Sequence, residues 1–234
     1  MTRLLHAESA ADLREKLAFL NIEVSPRSAR RTTKQAELFS IAHLLSSLPS
    51  ERFSFPLSVE HADRPDFVVT SNDQSIGIEL TEAVPENVAR ASALRESGVG
   101  PKVFFVPRAR PGEPPKSTAA LKEEIKMSRP GPPWVGDAPE REWAEAMLHF
   151  ANIKVAKAKQ EGFDMYPLNW LLIYDNWPLP SVHYVKASSM LAMKFNDAAT
   201  HATFDRVFVL GSRFLCEFAN RVDLHEVLSP NAED

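Results

Sequence analysis

Two short segments of this chain, Asn169-Trp-Leu-Leu-Ile-Tyr-Asp and Asp205-Arg-Val-Phe-Val-Leu-Gly, are apolar with almost no interruption. A strand that shows no polar alternation has no solvent face, so each must be covered on both sides. A sheet with helices packed on its two faces meets that demand, and the rest of the chain supplies the helices. Trp143, Met147, Phe150, Ile153 and Lys157 follow one another at helical intervals in 139–160. Leu38, Ile41, Ala42, Leu45 and Leu48 do the same from Thr33 onward, and Pro49 stops that helix. Residues 8–20, with Ala11, Leu13, Leu17 and Leu20 recurring at helical spacing, read as a helix inside an N-terminal extension spanning 1–25. Residues 84–95 and 187–199 also read as helices.

Between the helices the period changes to two. Phe53, Phe55, Leu57 and Val59 alternate with Ser54, Pro56, Ser58 and Glu60, which predicts a strand with one buried face. Pro56 places it at an edge or interrupts it. Pro65-Asp-Phe-Val-Val-Thr and Ser75-Ile-Gly-Ile-Glu-Leu-Thr are the next two strands, joined by the polar turn Ser71-Asn-Asp-Gln. The resulting order is helix, three-strand meander, helix, strand, helix, strand. It predicts one α/β domain over 1–234, with a mixed sheet flanked by helices in three layers. From Pro107 to Pro139 the chain holds eight prolines, too many for a continuous helix or a central strand. That segment reads as a long insertion with a short helix at about 117–127.

Composition excludes several classes. A net charge of −4 argues against a general polyanion-coating protein, although a local basic patch is enough to hold phosphates. No stretch approaches the roughly 18 to 20 apolar residues of a membrane span. The opening MTRLLHAESAADLREKL carries acids and a helical period, so no secretory signal is expected. Cys216 is the only cysteine, which rules out a disulfide framework and suits a cytoplasmic location. Set among Phe214, Leu215 and Phe218, it reads as a small core residue. The seven histidines lack metal-ligand spacing, His43 and His149 read as partly buried structural residues, and the eight glycines form no phosphate loop.

The chemistry concentrates in Arg64-Pro-Asp-Phe-Val-Val-Thr-Ser-Asn-Asp-Gln-Ser-Ile-Gly-Ile-Glu-Leu-Thr. Asp66 begins one strand and Glu79 lies late in the next, so an antiparallel pairing brings the two carboxylates together on one side. Glu79 is the polar exception in an apolar strand. A carboxylate there needs a partner, and a divalent cation is one; an arginine such as Arg64 or Arg90 is the structural alternative. Oxygen ligands from two acids are what magnesium-assisted chemistry on phosphodiesters requires.

With these residues the segment resembles the PD-(D/E)XK nuclease superfamily, whose pattern is Pro-Asp, a hairpin, then an acid, one residue and a lysine. Pro65, Asp66 and Glu79 match; Thr81 stands where the lysine should be and cannot supply its charge. The resemblance implies a restriction-endonuclease-like fold and extends to the preceding helix, where Glu37 would join Asp66 and Glu79 as a ligand of Mg2+ or Mn2+. It further implies a lysine recruited from the 139–160 helix. Lys154 and Lys157, three residues apart, share a face there, although a solvated helix flank is the plainer reading.

Arg27, Arg30, Arg31 and Lys34 cluster before the second helix and are candidate contacts to a phosphate backbone, or an ordinary basic turn. Glu82 is expected to be exposed, and Asp175 and Asn176 to form a turn after a buried strand. Two functions follow: a metal-dependent nuclease acting on DNA ahead of RNA, or a nuclease-like fold kept as a non-catalytic binding module, which Thr81 and the acidic net charge favour.

Overall fold

A computed structural model describes the chain except residues 30, 73, 107, 199 and 232–234 and the side chain of residue 197. Among the described residues eight strands form a single sheet whose spatial order equals the chain order: β1 (Thr2–Ala7), β2 (Leu57–His61), β3 (Phe67–Ser71), β4 (Ser75–Ala83), β5 (Leu168–Asp175), β6 (Arg206–Leu210), β7 (Phe214–Phe218) and β8 (Val222–Glu226). Pairing is antiparallel from β1 to β4, parallel from β4 through β6, and antiparallel again to β8. The α-helices described with it are α1 (Ala10–Ala18), α2 (Thr33–Ser47), α3 (Glu86–Glu96), α4 (Thr118–Met127), α5 (Ala138–Ala158) and α6 (Tyr184–Asp197).

The two uninterrupted apolar runs are β5 and β6, the parallel centre of the sheet, and residues 170–173 and 207–210 are all buried. Alternate residues serve two cores. Trp170, Leu172, Phe208 and Leu210 pack with Leu13, Leu17, Ile41 and Leu44 of α1 and α2. Leu171, Ile173, Val207 and Val209 pack with Trp143, Met147, Leu191 and Phe195 of α5 and α6. Helices therefore cover both faces, as burial of both faces of a parallel strand demands. No helix among the described residues is long and apolar enough to cross a membrane.

Three expectations about strands need correction. The N-terminal segment carries β1 ahead of its helix. As an edge strand it buries only Leu5 and Ala7, so its periodic signal is weak. The strand expected from Phe53 begins at Leu57, and β1 covers its outer side, so it is not an edge. Pro56, which has no N–H to give a ladder, sits just before it. Two strands, β7 and β8, follow the last expected one. Glu217 disguises β7 as polar, yet it is 1% exposed, with its carboxylate held by Arg52, Arg206 and His225.

The proline-rich insertion is tied down on α3. Asn87 donates to the carbonyl of Pro114 at 3.0 Å and accepts from the N–H of Lys116 at 2.8 Å. Arg90 donates to the Lys116 carbonyl at 2.7 Å.

Candidate functional site

The site grows out of the period-two geometry of β4. Ile76, Ile78 and Leu80 join the core beneath α2, so Gly77, Glu79 and Thr81 belong to the opposite face, toward α5. Glu79 is fully buried there. Its Oε1 accepts from both Lys154 Nζ and Lys157 Nζ, each at 2.7 Å. The two lysines lie three residues apart on α5 and reach the same point because that spacing keeps them on one helix face. Burial works against a charge on Lys157, but the hydrogen bond and charge of Glu79 outweigh it, and its pKa is raised. Glu79 Oε2 is buried and has no hydrogen-bond partner among the described residues. Glu79 thus pairs with lysines of α5 instead of Arg64 or Arg90.

Asp66 immediately precedes β3. Since Phe67 pairs with Ile78 in the antiparallel register, Asp66 stands across from Glu79. Its Oδ2 accepts from the backbone N–H of Leu80 at 2.6 Å. Burial, then the neighbouring charge of Glu79 and, more weakly, that of Glu37, push the Asp66 carboxyl up to about 6, while Lys154 and the Leu80 N–H pull the other way. A small residue makes this approach possible. A Cβ at Gly77 would lie 2.8 Å from Tyr166 Cδ2 and 3.0 Å from Pro65 Cγ, so a side chain on β4 there would displace the Pro65-Asp66 step.

Asp66, Lys154 and Lys157 open onto a groove of about 560 Å³ that Glu37 and Thr81 also line. Glu37 comes from α2 and bonds His61 Nε2 through Oε2 at 2.9 Å. The groove lies at the carboxyl end of β4, where open α/β sheets present ligand sites. Its far wall is the start of α2, with Thr32, Thr33, Arg27 and Arg31. Glu82, expected to be exposed, is half-buried and accepts from Arg27 and from Asn176 Nδ2 at 2.8 Å, with Arg31 at 3.1 Å. The strand continues to Ala83, and residues two apart share a face. Glu82 therefore falls on the side of Leu80, beneath the arginines. Asn176 holds this acid instead of merely turning the chain. Its neighbour Asp175 is half-buried, accepts from Trp143 Nε1 at 2.7 Å and from the Trp177 N–H at 3.1 Å, and desolvation of its carboxyl pushes it up to about 6.

Of the basic cluster, Arg27 and Arg31 reach the groove; Lys34 is exposed on α2 and does not line it, and Arg30 lies outside the described residues. His43 donates to the Phe39 carbonyl and burial lowers its pKa, while burial pushes the Cys216 thiol up to about 12, which makes it inert. Among the charged residues that line the groove, Glu82 and Arg90 were not read from the sequence as part of it; only Glu82 carried a signal, its position in the alternation of β4.

Asp66 and Glu79 offer carboxylate oxygens, the ligand type a hard divalent cation takes, and Glu79 Oε2 has no partner among the described residues. Among the described residues no three His, Cys, Asp or Glu side chains already stand together as a ligand set. Lys154 and Lys157 hold the other oxygen of Glu79. Against protein-family models, curated proteins and solved structures alike, the chain finds no match.

Proposed function

We propose that this chain is a restriction-endonuclease-like domain whose groove takes a phosphodiester, with Asp66 and Glu79 holding a divalent cation and Lys154 and Lys157 supplying the positive charge that Thr81 cannot. The observation that carries the reading is the fully buried Glu79, with two ammonium groups at 2.7 Å on one oxygen and an orphaned second oxygen, facing a carboxyl raised to about 6. Asp66 lines the groove and Glu79 lies buried behind it; a perturbed carboxyl beside such a cleft marks a candidate working site. The order of elements supports the same reading: α2, the meander β2–β4, then a crossover through α5 to a parallel β5.

A magnesium or manganese ion at this place would supply charge for the scissile phosphate and lower the pKa of water. The chain's own residues do the rest. Lys154, 13% exposed, and Lys157, 35% exposed, present ammonium groups to an anion entering the groove. Arg27 and Arg31, pre-oriented by Glu82, meet the next phosphate along the strand. The fold alone does not decide the reaction. A second reading is favoured by the lysines themselves: because they already neutralise Glu79 without a metal, the same groove serves a non-catalytic nucleic-acid-binding module.

Calorimetry with magnesium and manganese, on the wild type and on Asp66→Ala and Glu79→Gln, separates the two. Binding in the wild type that both substitutions abolish, with cleavage of DNA lost in parallel, supports the nuclease. No heat of binding at about 10 mM metal, a concentration that detects even very weak sites, leaves the binding module.

A further inference from the structure

A second cavity, of about 290 Å³, lies away from the groove, between α3, α4 and residues 104–106 and 108–109 of the chain. It is not an open seam, because the clasp of Asn87 and Arg90 on Pro114 and Lys116 fixes the insertion against α3. Gly100, at φ +89°, lets the chain turn close under α4, where a Cβ would collide with Ile125. The wall is mainly apolar, with Val88, Phe105, Leu121 and Ile125 prominent. Such a volume equals about ten waters at roughly 30 Å³ each, and water held there finds few partners. Side chains facing empty space forgo dispersion contacts that the rest of the core makes.

The charges on the wall are unequal. Lys116 lies between Glu113 at 3.4 Å and Glu124 at 3.0 Å, and Arg108 is paired with Glu142. That leaves Arg95 and Arg129 without an acidic partner among the described residues. Arg95 stacks its guanidinium on Phe104, and its Nε is shielded from water with no hydrogen-bond partner. The terminal nitrogens of Arg95 are not shielded in this way and have no acceptor among the described residues, so an unpaired charge stands on the cavity wall. We infer that this cavity binds a small amphipathic anion, a compact apolar body with a single carboxylate, the carboxylate meeting Arg95 and the body lying against Leu121 and Ile125. At about 290 Å³ the site stands at the small end of ligand pockets, which suits a medium-chain or single-ring acid. It is independent of the phosphodiester groove.

Octanoate and octanol are the probes, titrated by calorimetry into the full chain and into Arg95→Gln and Ala91→Phe, with a thermal melt of each variant confirming the fold. Octanoate should bind saturably and at least about tenfold more tightly than octanol. Arg95→Gln should bring octanoate down to the level of octanol and leave octanol unchanged, and Ala91→Phe should abolish both by filling the cavity. Equal affinities of acid and alcohol in the wild type, or octanoate affinity unaltered in Arg95→Gln, would overturn the inference. So would the lack of saturation up to about 10 mM octanoate, the weak limit of useful affinity.

Discussion

Replacing Asp66 with Asn should stabilise this protein at neutral pH. The folded carboxyl is pushed up to about 6 against an ordinary 3.8, so between those values the folded state binds more protons than the unfolded chain. Stability therefore falls as pH rises from about 4 to about 6, then stays at the lower level. A displacement of roughly two pH units, at about 1.36 kcal/mol each, sets a ceiling near 3 kcal/mol. Asp66 keeps some access to water, so about 1–2 kcal/mol is the expected size. Asparagine keeps an oxygen for the N–H of Leu80 and removes the charge that Glu79 opposes. At about 2.1 cal/mol/K per residue, 234 residues give an unfolding entropy near 0.5 kcal/mol/K and a gain of about 2–4 °C in Tm. Urea unfolding followed by tryptophan fluorescence, at pH 4 and pH 7.5 with metal chelated, checks it. Asp175, pushed up in the same direction, is common to both proteins and cancels in the difference. The variant should gain at pH 7.5 and match the wild type at pH 4. A variant less stable at pH 7.5, or a difference independent of pH, would refute the electrostatic account. Magnesium at ten times its Kd should add about 1.4 kcal/mol to the wild type and nothing to the variant.

Other substitutions test the supports of the site. Glu79→Gln removes the charge that two half-buried ammonium groups share and leaves them facing each other, which should cost about 1–3 kcal/mol in urea unfolding. Lys154→Met should cost more than Lys157→Met, because Lys154 is the less exposed partner. Gly77→Val should lose about 1–3 kcal/mol by driving a side chain into Tyr166 and Pro65, and metal affinity should fall with it as Asp66 shifts. Asn87→Ala should speed limited proteolysis between residues 108 and 117 without a comparable change in global stability, since it opens a clasp that holds the insertion and leaves both cores intact.

Where burial is two-sided or strictly alternating, the one-dimensional pattern was enough to locate structure. The apolar runs of β5 and β6, the helical stripes of α2 and α5, and the Asp66–Glu79 hairpin were all legible because period and residue type report the local environment directly. That legibility fails where a distant residue alters the environment. Glu217 looks like a solvent residue until Arg52, Arg206 and His225 surround it, so β7 could not be seen. Glu82 looks exposed until Arg27, Arg31 and Asn176 converge on it. The spacing of Lys154 and Lys157 put both on one helix face, but only the packing of α5 over β4 brought both amines to one oxygen of Glu79. The sequence by itself determined which residues must be buried and which acids face each other across a hairpin. Only the tertiary structure decided which charges neutralise which, because Coulomb and hydrogen-bond partners are chosen by proximity in space and leave no period in the chain.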